Sequence, residues 1–90
     1  MGYADDVAKT IATSGGIEAV ARAMTIHANS NIVQGHAVYA IALVVNDIPA
    51  HIVMAKAAGV VPLLQHAVAM GVNKGDKYWD PATHLKMMGV

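Results

Sequence analysis

The sequence predicts an all-α fold, and three observations carry that prediction. Apolar residues recur at three-and-four spacing in short blocks, and Gly, Pro, Asn, Ser and Asp fall between the blocks. The block richest in β-branched residues, 32–45, is too long and too rich in Ala for a strand.

Each element follows from this punctuation. Asp5 or Asp6 caps a first segment through Thr13, with Val7 and Ile11 four residues apart on one face. Ser14-Gly15-Gly16 ends it, since Gly accepts the left-handed conformation at helix ends. A second helix runs from about Ile17 to His27, with Ile17, Val20, Ala21 and Met24 on its buried face. Asn29-Ser30-Asn31 supplies N-cap oxygens for a third helix from Ile32 to Val45. That helix is apolar all round from Ala37 onward, which predicts a position between other helices. Asn46-Asp47 caps a fourth, short helix with Pro49 in its first turn, and Ala58-Gly59 ends it. A fifth helix spans Val60 to Met70. After a polar loop, Asp80-Pro81 reads as cap and first helical residue of a last helix over Ala82 to Met88.

Composition narrows the function. Hydrophobic residues make up 56%, charged residues 13%, and the formal net charge is zero. This excludes a disordered chain and argues against nucleic acid as a partner, since phosphate binding needs surplus Lys and Arg. Cysteine is absent, which excludes disulfides and thiolate metal sites. The start, Met1-Gly2-Tyr3-Ala4-Asp5-Asp6, is acidic rather than a signal peptide, and it lacks a myristoylation Ser or Thr at position six. The longest apolar stretch, Ala37 to Val45, is far short of the roughly 20 residues of a membrane span. The expectation is a cytoplasmic chain without a membrane partner. So much apolar side chain on a small protein also predicts association with another protein surface.

The sequence is similar to itself at an offset of 43 residues, with Gly16 over Gly59. Ile11-Ala12 then falls on Met54-Ala55, Ile17 on Val60, Val20 on Leu63 and Ala21 on Leu64. A period near 40 built of three helices is the signature of armadillo arrays. The segments 11–20 (IATSGGIEAV), 31–41 (NIVQGHAVYAI) and 54–64 (MAKAAGVVPLL) resemble the helix junctions and third helix of the armadillo repeat family. The resemblance covers about Asp5 to Met70 and fades after Gly71. It implies a right-handed α-solenoid of short helices in triplets, within one domain over 1–90. The first repeat is 5–46 and the second, incomplete one is 47–90.

Members of that family are mostly protein-binding scaffolds whose third helices line a groove for extended peptides. In the importin-alpha branch the third helix carries a Trp and, four residues on, an Asn that grips the peptide backbone. The matching positions here are Tyr39 and Leu43, and in the second copy Ala82 and Lys86. Leu43 has no amide, which argues against nuclear-localisation peptides and leaves other apolar segments as ligands.

No catalytic or metal-binding pattern emerges. The histidines at 27, 36, 51, 66 and 84 form no HxxxH or HxxEH pattern and read as surface or helix-end residues. His36 stands apart, three residues before Tyr39 on about the same side of the helix. Gly15-Gly16 lacks a phosphate-loop context, and Ser14 lacks a nucleophile-elbow context. Tyr78-Trp79 packs over the end of the last helix pair or stands out as a binding anchor. The methionines at 24, 54, 70, 87 and 88 fill core gaps.

The resulting expectation is a non-enzymatic scaffold without metal or cofactor. It binds a protein or peptide through His36, Tyr39, Leu43 and Trp79, and its open repeat ends are closed by self-association or by the rest of a longer array. The alternative is a small helical-bundle regulatory subunit enclosing a hydrophobic ligand.

Overall fold

Local side-chain chemistry sets most helix boundaries. The structure, a computed structural model, describes residues 3–45, 48–76 and 80–90. It contains α1 (Tyr3–Thr13), α2 (Gly16–Ile26), α3 (Asn31–Val45), α4 (Pro49–Ala57), α5 (Val60–Met70) and α6 (Pro81–Met87), with no strand among the described residues. Ser30 caps α3 by accepting from the Val33 N–H at 3.2 Å. Asp80 caps α6 by accepting from the Ala82 N–H at 2.9 Å, and its other oxygen accepts from the Gly75 N–H at 2.9 Å. Pro49 and Pro81 sit in first turns, where a missing N–H costs nothing. Gly15 (φ 85°) and Gly59 (φ 81°) take the left-handed conformation that turns α1 into α2 and α4 into α5. The second of these turns bends the chain by 83°.

Three local expectations are corrected or left aside. α1 begins at Tyr3, so Asp5 and Asp6 lie inside it rather than capping it. Ile48 occupies the N-cap of α4 without a side-chain bond, and Asn46 and Asp47 lie outside the described residues. Val7 and Ile11 are 40% and 38% exposed, whereas Ala8 and Ala12 form the buried face of α1. Small side chains let α1 approach its neighbours closely, and that packing outweighs the burial of two larger groups.

α3 occupies the centre, in contact with α1, α2, α4 and α5, while α6 packs chiefly on α5. Its Ala37, Val38, Ile41, Val44 and Val45 are buried together with Ile17 and Met24 of α2 and Val60 and Leu64 of α5. Each fully buried Val or Ile contributes about 1.5–3 kcal/mol. Met24 and Met88 are core, Met54 and Met70 pack against it, and Met87 is 43% exposed, so the gap-filling expectation fails at Met87. Among the described residues no single helix is long and apolar enough to cross a membrane.

Burial coincides at several positions under the 43-residue offset. Ala8 and His51, Ala12 and Ala55, Ile17 and Val60, Ala21 and Leu64, and Met24 and Ala67 are buried at an offset of 43. Val38 and Pro81, Ile41 and His84, and Val45 and Met88 continue the same register into α3 and α6. The left-handed glycines, Gly15 and Gly59, are instead 44 apart. The match is partial, since Val44 is buried where Met87 is exposed and Asn29 is exposed where Val72 is buried.

Two substitutions check this account. A Cβ on Gly16 would overlap the Ile11 side chain and stand 2.7 Å from the Ile11 carbonyl oxygen, which is backbone and cannot swing aside. Gly16→Ala should therefore lower the urea midpoint by the equivalent of about 1–3 kcal/mol. The bonds from Gly75, then Ala82, hold the Asp80 carboxyl below its ordinary value, helped by His84 and Lys74 against a small burial penalty. Its contribution is thus present above the unfolded-state value and lost as pH falls through the lower folded-state one. Asp80→Ala should cost about 1 kcal/mol at neutral pH. Melts taken into the acid range should show that deficit close.

Candidate interaction site

The rotation of α3 about its own axis decides what this protein presents to solvent. Gln34 fixes it. Fully buried near the start of α3, its amide donates to the Met24 carbonyl at 2.9 Å and the His27 carbonyl at 3.0 Å. These carbonyls lie in the last turn of α2 and at its C-cap, where helix oxygens lack partners within the helix; the His27 carbonyl also accepts from the Ser30 N–H at 3.0 Å. Two donated bonds also assign the amide orientation and leave Oε1 buried without a hydrogen-bond partner.

Side chains from α4, α5 and the loop after α5 tie down carbonyls of the preceding α2–α3 segment. His66 Nε2–H donates to Ala28 at 2.8 Å, the Asn73 amide to Gly35 at 3.3 Å, and His51 Nδ1–H to Val44 at 2.7 Å. A carbonyl only accepts, so each imidazole carries its proton on the bonded nitrogen. His51 and His84 are buried, which corrects the surface reading for both; His51 and His66 act as donors to carbonyls near helix ends.

With α3 so held, one stripe of it faces out: Ile32, His36, Tyr39 and Leu43. Their exposures include 75% for Ile32, 39% for Tyr39 and 53% for Leu43. Beside the N-terminal half of the stripe lies an open groove of about 540 Å³ lined by Asn31, Ile32, Gly35, His36, Tyr39 and Asn73. The loop after α5 forms its wall. A Cβ on Gly35 would meet Asn73 Oδ1 at 3.4 Å and Val72 at 3.8 Å, ordinary contact distances, so the loop lies directly against α3 at this point. Asn73 takes a positive φ of 53° there, a conformation Asn tolerates better than most residues.

The structure therefore brings His36, Tyr39 and Leu43 onto one exposed face. Trp79 lies outside the described residues. Ile32, Asn31 and Asn73 complete the surface and were missed from sequence. Ile32 was within reach, because it extends the spacing of 36, 39 and 43 by one turn. Asn73 was not, since its bond to Gly35 spans 38 residues. Among the described residues no three His, Asp or Glu side chains gather where they could hold a metal ion.

Comparison with family models, curated proteins and solved structures finds no match for the chain.

Removing the Gln34 amide tests what orients the stripe. Gln34→Leu removes the side-chain bond to the Met24 carbonyl and one of the two bonds to the His27 carbonyl, and should destabilise the fold by about 1–3 kcal/mol in chemical denaturation. An unchanged midpoint would mean that packing alone holds α3 in place.

Proposed function

We propose that this protein is a non-catalytic, armadillo-type interaction module, a scaffold or adaptor segment whose working surface is the outward stripe of α3. The observation that carries the reading is a contradiction within one helix. α3 is the central core element, yet it holds Ile32, Tyr39 and Leu43 out to solvent beside a preformed groove. Apolar and aromatic side chains grouped on a surface mark protein contact more often than they occur by accident.

The armadillo assignment draws support from the eight pairs of buried positions 43 residues apart and from the matching order of short helix, left-handed glycine and second helix. The partner that fits the stripe is a protein or peptide segment with apolar side chains. Asn31, His36, Tyr39 and Asn73 supply the neighbouring polar atoms. The rival reading, a bundle enclosing a hydrophobic molecule, needs an interior cavity. The groove at α3 and the apolar depression between α2 and α5 are open to solvent, and a smaller, more enclosed depression between the end of α5 and the start of α6 is lined in part by the charged Lys74 and Asp80.

The test is peptide display against the folded protein, followed by binding measurements on variants. Selected peptides should bind Leu43→Glu and Tyr39→Ala at least tenfold more weakly, about 1.4 kcal/mol or more. Circular dichroism and melting temperature should hardly change, because Leu43 is more than half exposed. Equal binding by the variants, or no selectable peptide, would place the function elsewhere.

A further inference from the structure

The α3 stripe has a spacing and a symmetry that identify one occupant. From Ile32 to His36 is four residues, to Tyr39 three, and to Leu43 four. That alternation is the two-in-seven seam by which helices pair along their length, and an isolated surface helix does not need it. The flanking positions are Val33, Gly35, Ala40 and Ala42, all half-buried, and three of them carry nothing beyond a Cβ. A second helix can settle against such a seam at the close end of the 8–10 Å range of interaxial distances.

The order of chemistry along the seam is palindromic: aliphatic, polar aromatic, polar aromatic, aliphatic. An antiparallel copy of α3 with a two-fold axis midway between His36 and Tyr39 would set Ile32 against Leu43 at both ends. It would set His36 against Tyr39 twice at the centre. Such self-complementarity is what a two-fold interface requires, because each patch must fit itself. No Asp, Glu, Lys or Arg lies in α3, so the arrangement brings no fixed like charges together.

A rival surface for self-association is the outer face of α1 and α2, but its chemistry is less favourable. In the 43-residue register, exposed Lys9 and Glu18 stand there where the second copy has part-buried Ile52 and Val61. A copy stacked on that face would have to desolvate both charges.

We infer that two copies of this chain pair antiparallel through α3, Ile32 of each against Leu43 of the other. The inference rests on the reading of the α3 stripe as the interaction surface, and does not depend on the armadillo resemblance. Three turns of helix make a small interface, so the association is weak and concentration-dependent.

The chain has no cysteine, which makes cross-linking clean. Ile32→Cys, carrying a mass tag, is mixed with untagged Leu43→Cys and treated with a short bismaleimide. Both sites are well exposed, and circular dichroism on each variant is to check that it folds. The mixed dimer should exceed either self-linked product several-fold, because in the antiparallel pair identical positions lie about 16 Å apart along the axis. Self-linking of each variant at equal or greater yield would overturn the pairing in favour of a parallel or random encounter. Light scattering on the unsubstituted chain should show mass rising towards the dimer between about 10 μM and about 1 mM. A monomer throughout would also overturn it. If pairing fails while Leu43→Glu still weakens displayed peptides, the surface is right and the occupant wrong. Failure of both would remove the surface reading itself.

Discussion

The amide of Gln34 is the constraint on which the exposed surface depends. A helix as uniformly apolar as α3 has no hydrophobic preference for one rotation over another. Something polar must choose the face that stays wet. Gln34 does so by offering its two N–H groups to the open end of α2, a bond pair available at only one rotation of α3. The orphaned Oε1 is the cost of that choice, an acceptor withdrawn from water with nothing in exchange. His66, Asn73 and His51 then fasten carbonyls before, within and at the end of the same helix. α4, α5 and the loop after α5 thereby clamp α3, and the stripe left uncovered runs along one line from Ile32 to Leu43.

Much of the secondary structure was legible because its causes are local. Ser30, Asp80, Pro49, Pro81 and the glycines at 15 and 59 act within a turn or two, and sequence spacing exposes such effects directly. The inner face of α1 was less legible. Val7 and Ile11 lie one step round the helix from Ala8 and Ala12, and hydrophobicity favours the larger pair. Only the distance to neighbouring helices, which no local pattern encodes, favours the alanines. The site divides in the same way. His36, Tyr39 and Leu43 share a face by helical geometry alone, whereas the groove wall at Asn73 arises from a contact made far along the chain.

Under the 43-residue offset the two halves agree in burial at a set of core positions and differ elsewhere. Positions 8, 12, 17, 21 and 24 are buried, as are 51, 55, 60, 64 and 67, although the left-handed glycines are shifted by one residue. A turn can absorb that shift because left-handed glycine needs no fixed partner, while a core position slipped by one residue would point away from the interior. Packing therefore sets the register of the repeat, and the turns accommodate it. Outside these positions chemistry and burial diverge together, since exposed Lys9 and Glu18 stand where part-buried Ile52 and Val61 pack against the core.

That divergence gives an internal control for the outward stripe. The counterpart of Leu43 in the second copy is Lys86, exposed at the same place in its helix, and the counterpart of Tyr39 is Ala82. The fold thus accepts a charge and a methyl group at these positions without losing the burial of Pro81, His84 and Met88 around them. Neither the helix nor the core beneath it requires Leu43 or Tyr39 to be apolar. An isolated exposed Leu needs no explanation. Four residues in helix-pairing register, uncharged, flanked by small side chains and set beside a groove are a different matter. Held in one orientation by a buried amide, they are the combination on which the proposed contact surface rests.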